Sequence, residues 1–220
     1  MIKIQHISDT HSLHEQIEIE LDSDFLLHTG DETNHYNILY NQKEFDIFYD
    51  WWSKIPIKNK VLIAGNHSAA LTLPYNKDKL KECCTYLEHE YAKIDGISFF
   101  GSPYTPTYGN WHFMKARNTL GRVWEHLSYV DVLLTHGPPK GILDLAYHGD
   151  CLERCGDGAL LKKVMAIKPK LHCFGHLHTN KDNINGATMT VENIIFSNGS
   201  VVKDGEIMKV VNKKGNIIII

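Results

Sequence analysis

Leu171-His172-Cys173-Phe174-Gly175-His176-Leu177-His178 is the stretch on which the reading of this chain turns. Leu171 to Phe174 is a short, mainly apolar run of the kind that suits a strand buried on both faces. Gly175 then turns the chain, and two imidazoles follow with one residue between them. The pattern recurs upstream. Ile2 to Ile7 ends at Ser8-Asp9-Thr10-His11, and Phe25 to Leu27 ends at His28-Thr29-Gly30-Asp31. Val61 to Ala64 ends at Gly65-Asn66-His67, and Val130 to Leu134 ends at Thr135-His136-Gly137-Pro138-Pro139.

Between these runs the periodicity changes. Ile38 to Ile55 carries apolar residues at mixed three- and four-residue spacing, as a helix does. Lys77 to His89, preceded by Pro74, and Leu160 to Ile167, closed by Lys168-Pro169, are predicted as two more helices. Strands are predicted again at Ile194 to Ser197, Glu206 to Val211 and Asn216 to Ile220. Strands alternating with helices and closing on a strand-rich tail predict an α/β layered fold. No repeat, low-complexity tract or Gly/Pro/Ser-rich linker divides the chain, so residues 1–220 are expected to form one domain.

Composition narrows the function. A formal net charge of −3 gives no basic footprint for a phosphate backbone, so stable binding of duplex nucleic acid is not expected. No run approaches the roughly 20 apolar residues of a membrane span, and the start lacks the basic flank and longer apolar stretch of a secretory signal. A cytoplasmic protein is expected. Its cysteines, Cys83, Cys84, Cys151, Cys155 and Cys173, are then expected as reduced thiols.

Asp9, His11, Asp31, Asn66, His136, His176 and His178 all fall just past predicted strands. In open α/β sheets, sites form outside the carboxyl ends of strands, so five loops would deliver these groups to one rim. Carboxylate, amide and imidazole donors suit divalent manganese, iron or zinc. They are too many for one four-coordinate ion, and suit two ions about 4 Å apart that share a carboxylate.

These motifs make the chain resemble the calcineurin-like metallophosphoesterase family. The carriers are Asp9-Thr10-His11, Gly30-Asp31, Gly65-Asn66-His67, His136-Gly137 and Gly175-His176-Leu177-His178. Within the family the chain looks most similar to the small branch that includes the mammalian MPPED proteins. The segments behind this are Ile7-Ser8-Asp9-Thr10-His11, Gly101-Ser102-Pro103-Tyr104-Thr105-Pro106, Leu134-Thr135-His136-Gly137-Pro138-Pro139 and Pro169-Lys170-Leu171-His172.

The resemblance implies a four-layer α-β-β-α sandwich and a dinuclear metal centre. Asp9, His11 and His178 would hold one ion, and Asn66, His136 and His176 the other. Asp31 would bridge them, and hydroxide between the ions would attack phosphorus. His67 would act on the substrate, stabilising charge on a phosphate oxygen or protonating the leaving group. The family often carries an acid directly after Gly-Asn-His; this chain has Ser68, which leaves the orienting partner of His67 to be found.

The expected substrate is a small phosphoester, a mono- or diester and in particular a nucleotide. A nuclease or nucleic-acid end phosphatase is one alternative, and a metal-dependent nucleotide-binding regulator with little turnover is another. Tyr104, Tyr108, Asn110 and Arg117, in a loop that also holds Trp111 and Phe113, are candidate substrate contacts. That loop could stack on a base, or could simply cover the core. Trp51-Trp52 is expected to pack a helix on the core.

Overall fold

The structure, a computed structural model, describes residues 1–205 and 207–220. Two sheets carry it. In the first, strands Asn216–Ile219, Lys3–Ile7, Phe25–His28, Asn59–Leu62 and Thr85–Tyr86 lie side by side in that order. The last four are parallel, and only Asn216–Ile219 runs against its neighbour. The second sheet has the order Thr188–Val191, Ile194–Asn198, Leu171–Phe174, Val132–Thr135, Ile97–Ser102, Glu90–Ile94. Its four inner strands are parallel and its two edges antiparallel.

The side-chain alternation of the strands builds the layers. Ile4, Phe25, Leu27, Val61 and Ile63 meet Phe99, Val132, Leu134, Leu171 and Cys173 in one core between the sheets. Ile7, Leu26 and Leu62 point the other way, onto Phe45, Phe48 and Trp52 of helix Ile38–Lys54 and Leu80 of helix Pro74–Lys81. Phe100, Leu133, Phe174 and Phe196 leave the second sheet on its far side. They meet Leu120, Trp124 and, from helix Gly158–Ile167, Leu160 and Val164. The expected four-layer α-β-β-α sandwich is therefore present, and Trp52 is fully buried in it.

Local chemistry sets the helix ends. The Asn37 side chain accepts from the Leu39 amide at 2.9 Å and starts the long helix. Ile55, extended ahead of Pro56, ends it. Asp157 caps Gly158–Ile167 by accepting from Ala159 at 2.8 Å.

The predicted helix at Lys77 to His89 needs correction. It begins at Pro74 and stops at Lys81, and Thr85–Tyr86 joins the first sheet. The β-preferring Cys83-Cys84-Thr85-Tyr86 run wins over the helical pattern once a sheet edge is available. Of the strand predicted at Glu206 to Val211, Lys209–Val210 is paired, with Val202–Lys203; Glu206 lies outside the described residues. The hairpin Glu90–Ile94 to Ile97–Ser102 was not predicted. Asp95-Gly96, with φ of 46° and 87°, is its turn, and Asp-Gly is a recognised signal for such a two-residue loop. Among the described residues no helix is long and apolar enough to cross a membrane.

Two buried histidines are tied to hydroxyl groups inside the fold, one across the two sheets and one within the second. His6, in the first sheet, places Nδ1 2.8 Å from Ser197 Oγ of the second sheet and Nε2 2.9 Å from Thr29 Oγ1. His172 Nε2 lies 2.8 Å from Thr135 Oγ1. Burial pushes both down to about 3, from an ordinary 6.5. Below about pH 6.5 the unfolded chain therefore takes up protons that the folded chain refuses. Stability should fall as pH drops through that window toward 3, by about 1.4 kcal/mol per pH unit for each histidine. Urea unfolding of His172→Asn between pH 6 and 4 should show a slope shallower by about that amount. An unchanged slope would mean that His172 titrates alike in both states.

Candidate functional site

The parallel strands of both sheets end at the same rim, so the loops after them meet. Asp9 and His11 follow Lys3–Ile7, and Asp31 follows Phe25–His28. Asn66 and His67 follow Asn59–Leu62, His136 follows Val132–Thr135, and His176 and His178 follow Leu171–Phe174. Asp9, His11, Asp31 and His176 adopt left-handed backbone, with φ of 54°, 42°, 56° and 67°. Each such residue costs on the order of 1 kcal/mol or more, and such strain gathers at functional sites.

Gly65 and Gly175 serve close approach rather than a left-handed turn, since neither has positive φ. A Cβ on Gly65 would meet the Asp31 amide nitrogen and His136 Cε1, each at 2.6 Å. One on Gly175 would collide with the side chains of Ser8 and Asp9.

All seven expected metal ligands converge. His11 Nε2 is 3.1 Å from His178 Nε2, which is 3.4 Å from Asp9 Oδ1. His136 Nε2 is 2.9 Å from Asn66 Oδ1 and 3.3 Å from Asp31 Oδ2. Asp31 Oδ2 is also 3.9 Å from His11 Nε2, and its other oxygen accepts from the His67 amide at 2.7 Å. Three clusters, Asp9/His11/His178, His11/Asp31/His67 and Asp31/His136/His176, each bring ligand atoms within 4.8 Å of one another. Asp31 stands in two of them.

The hydrogen bonds behind the imidazoles decide what they offer. His178 Nδ1 is 2.6 Å from Asp204 Oδ1, and His136 Nδ1 is 2.8 Å from the Thr29 carbonyl. Both partners only accept, so Nδ1 carries the proton and Nε2 faces the site, the usual arrangement behind a metal-binding imidazole. Burial opposes charge on His136 and His178, yet the carboxylates outweigh it. Asp31 and Asp9 raise His136 to about 9, and Asp204 and Asp9 raise His178 to about 10. Burial instead pushes His11 down to about 4 and His176 to about 3. Against burial, its histidine neighbours hold Asp31 well below the ordinary carboxylate range. Packed nitrogens and carboxylates of this kind fit divalent cations.

His67 finds its partner in the backbone. Its Nδ1 is 2.7 Å from the Asn34 carbonyl, which leaves Nε2 free. The Trp111 ring covers it at 3.9 Å, tilted by 30°, and the His11 ring meets it edge-on at 4.8 Å. A backbone oxygen thus does the orienting that the sequence left open at Ser68.

The expected substrate contacts divide. Tyr108 lies over the site, its hydroxyl 3.5 Å from Asn66 Nδ2 and its ring 5.4 Å from His176. With Tyr147, His148, Asp204, His176 and His178 it lines a cleft of about 940 Å³. Arg117 also lines this cleft, but its guanidinium donates to the Cys155 and Gly156 carbonyls at 2.8 and 3.1 Å. It therefore braces the wall. Asn110 donates to the Tyr36 hydroxyl at 3.1 Å. Tyr104 does not line the cleft; its ring lies 5.5 Å from His89 at a 50° tilt, with Lys115 Nζ 4.6 Å over its face. The aromatic loop mostly folds onto the protein, with Trp111 on His67 and Phe113 against the core.

Sequence reasoning missed Asp204, Asn34, Tyr147 and Glu32. Asp204 sits in a Lys-Asp-Gly turn, where an acid is unremarked. Asn34 acts through its carbonyl, which no side-chain pattern reveals.

Comparison with known proteins agrees with this geometry. The family model described as calcineurin-like phosphoesterase matches residues 2–180. The Caenorhabditis elegans protein UPF0046 protein K07C11.7 is 31% identical over 97% of this chain and 76% of its own. Human metallophosphoesterase domain-containing protein 1 is 30% identical over 85% of this chain, which spans only 64% of that longer protein. Among solved structures, TT1561 of Thermus thermophilus superposes with a TM-score of 0.60 over 91% of this chain and 89% of its own, at 11% identity, a likeness of fold alone. The chain belongs to the calcineurin-like phosphoesterase family, the metal-dependent hydrolases of phosphoric esters.

Proposed function

We propose that the chain hydrolyses phosphodiester or phosphomonoester bonds of small nucleotides at a centre of two divalent ions, such as manganese, iron or zinc. The observation that carries this reading is the position of Asp31 Oδ2, 3.3 Å from His136 and 3.9 Å from His11, between two groups of ligands. Asp9, His11 and His178 would hold one ion, and Asn66, His136 and His176 the other, with Asp31 shared. Once bound, the ions supply Lewis acidity and a water whose pKa is lowered toward ~7.

The chain's own groups do the rest. Asp31 is fixed through its other oxygen by the His67 amide, so the shared carboxylate cannot swing. His67, held at Nδ1 by Asn34, presents Nε2 to the substrate phosphate. There it can hydrogen-bond a phosphate oxygen or give a proton to the departing alkoxide. Trp111 fixes the plane of that ring.

The cleft beside His176 and His178 supports a small substrate. Its roughly 940 Å³ falls in the range of small-molecule sites. The rings of Tyr108 and Tyr147 offer it aromatic surface, against which a base could lie.

Manganese-loaded protein should be assayed against cyclic AMP, AMP, an aryl phosphodiester and a single-stranded oligonucleotide. Turnover of a nucleotide or the aryl diester is expected. Turnover of the oligonucleotide alone would favour a nuclease or end phosphatase, and tight nucleotide binding without hydrolysis would favour a regulator. His67→Ala should lower kcat by about 10²–10⁴ while keeping its metals. Full activity would remove His67 from the chemistry, and lost metal would make it a ligand.

Asp204→Ala should weaken metal binding by roughly 10–100-fold, measured by competition with a fluorescent chelator, because His178 loses the acceptor that fixes its tautomer. Unchanged affinity would assign Asp204 to the surface alone.

A further inference from the structure

Glu32 follows Asp31 and Ser68 follows His67, and the two side chains meet in the interior. Both residues are fully buried. Ser68 Oγ donates to Glu32 Oε2 at 2.6 Å and accepts from the Gly65 amide at 2.8 Å. Because the amide can only donate, the hydroxyl proton is directed at Glu32. No lysine, arginine or histidine among the described residues pairs with this carboxyl. Its own backbone amide donates to it, and Thr33 Oγ1, whose proton goes to the His67 carbonyl, lies 3.4 Å from Oε1. Burying a carboxyl with no cationic partner is costly, and a well-packed apolar pair would serve stability better. The arrangement therefore calls for a reason in geometry.

We infer that Glu32 and Ser68 are positioning residues, a buried latch that locks the loop carrying Asn66 and His67 onto the loop carrying Asp31. The inference rests on the roles proposed above for these residues. One hydrogen bond joins the residue after the shared carboxylate to the residue after the proposed proton donor. The chain Gly65 amide, Ser68 hydroxyl, Glu32 carboxyl closes the turn at Gly65-Asn66-His67 from within. The far side of the turn is held separately. Thr33 Oγ1 donates to the His67 carbonyl at 2.9 Å, and Asn41 Nδ2 donates to the same oxygen at 2.7 Å. Asn41 Oδ1 accepts from Ala70 at 2.7 Å. With the outer side held by Thr33 and Asn41, losing the latch should loosen the loop without unfolding it. The Asn34 carbonyl and the His67 imidazole belong to the two latched loops, so their 2.7 Å contact depends on the loops' relative position.

Ser68→Ala, Glu32→Leu, Glu32→Gln and the double variant Glu32→Leu/Ser68→Ala test this in the full chain. A catalytic group displaced by even a fraction of its proper placement costs rate rather than binding. Ser68→Ala and Glu32→Leu should therefore each lose about tenfold or more in kcat, with KM and manganese stoichiometry near wild type. The double variant should be no worse than the worse single, because both remove one interaction. Glu32→Gln, whose amide oxygen can still accept from Ser68, should recover most of the kcat lost in Glu32→Leu.

In the metal-free protein, hydrogen exchange at the Gly65 and His67 amides should quicken in Ser68→Ala by about tenfold or more, while Ile4 to Ile7 stay as protected as before. A folded Ser68→Ala with wild-type kcat, or Glu32→Gln as impaired as Glu32→Leu, would overturn the latch. Should the wild type hydrolyse no phosphoester, the proposed function fails and the exchange measurement decides alone: unchanged protection at Gly65 and His67 would overturn the latch as well. Should Glu32→Leu fail to fold, Ser68→Ala and Glu32→Gln carry the test.

Discussion

Imidazole nitrogens and carboxylate oxygens crowded into one buried place repel one another unless positive charge lies among them, and the rest of this structure answers to that constraint. In the metal-free chain, protons on His136 and His178 supply part of the charge. The hydrogen bonds from Nδ1 to Thr29 and Asp204 turn the other nitrogens inward regardless. Strain follows the same logic. Four of the converging residues take left-handed backbone, and two glycines give up their Cβ atoms so that Asp31 and Asp9 can come close. Such costs are met by the three apolar cores of the sandwich, which run up to the strand ends beneath the rim.

The topology makes the convergence possible. Parallel strands in both sheets send their carboxyl ends one way, and His6 ties the sheets together beneath the rim through Ser197 and Thr29. Thr29 also holds His136, so the link between the sheets and the orientation of a proposed ligand share one residue. The loop from Tyr108 to Phe113 then closes over the site. Its Trp111 lies on His67, and its His112 amide donates to the Asn66 carbonyl at 3.3 Å.

Much of this was legible in the sequence, and the pattern of what was not is physical. Short apolar runs ended by Gly and small polar residues marked Lys3–Ile7, Phe25–His28, Asn59–Leu62, Val132–Thr135 and Leu171–Phe174, because buried parallel strands need continuous apolar sequence. The convergence of the expected ligands was legible because their residue types are unusual at such places. The helix end at Lys81 was missed because Thr85–Tyr86 pairs with a distant strand, a contact that local periodicity does not contain. The hairpin at Asp95-Gly96 carried a signal that went unused. Arg117 was expected as a substrate contact from its charge; it lines the cleft, and two of its donors go to the Cys155 and Gly156 carbonyls, a bracing role that local sequence does not show. Asn34 and Glu32 act through a backbone oxygen and a buried contact, both set by tertiary structure.

The most direct measurement is anomalous diffraction from manganese-soaked crystals, recorded on both sides of the metal edge. A shared Asp31 predicts two peaks about 4 Å apart, one beside Asp9, His11 and His178 and the other beside Asn66, His136 and His176, with Asp31 Oδ2 in contact with both. A single peak without Asp31 among its ligands, or no peak at all, would contradict it.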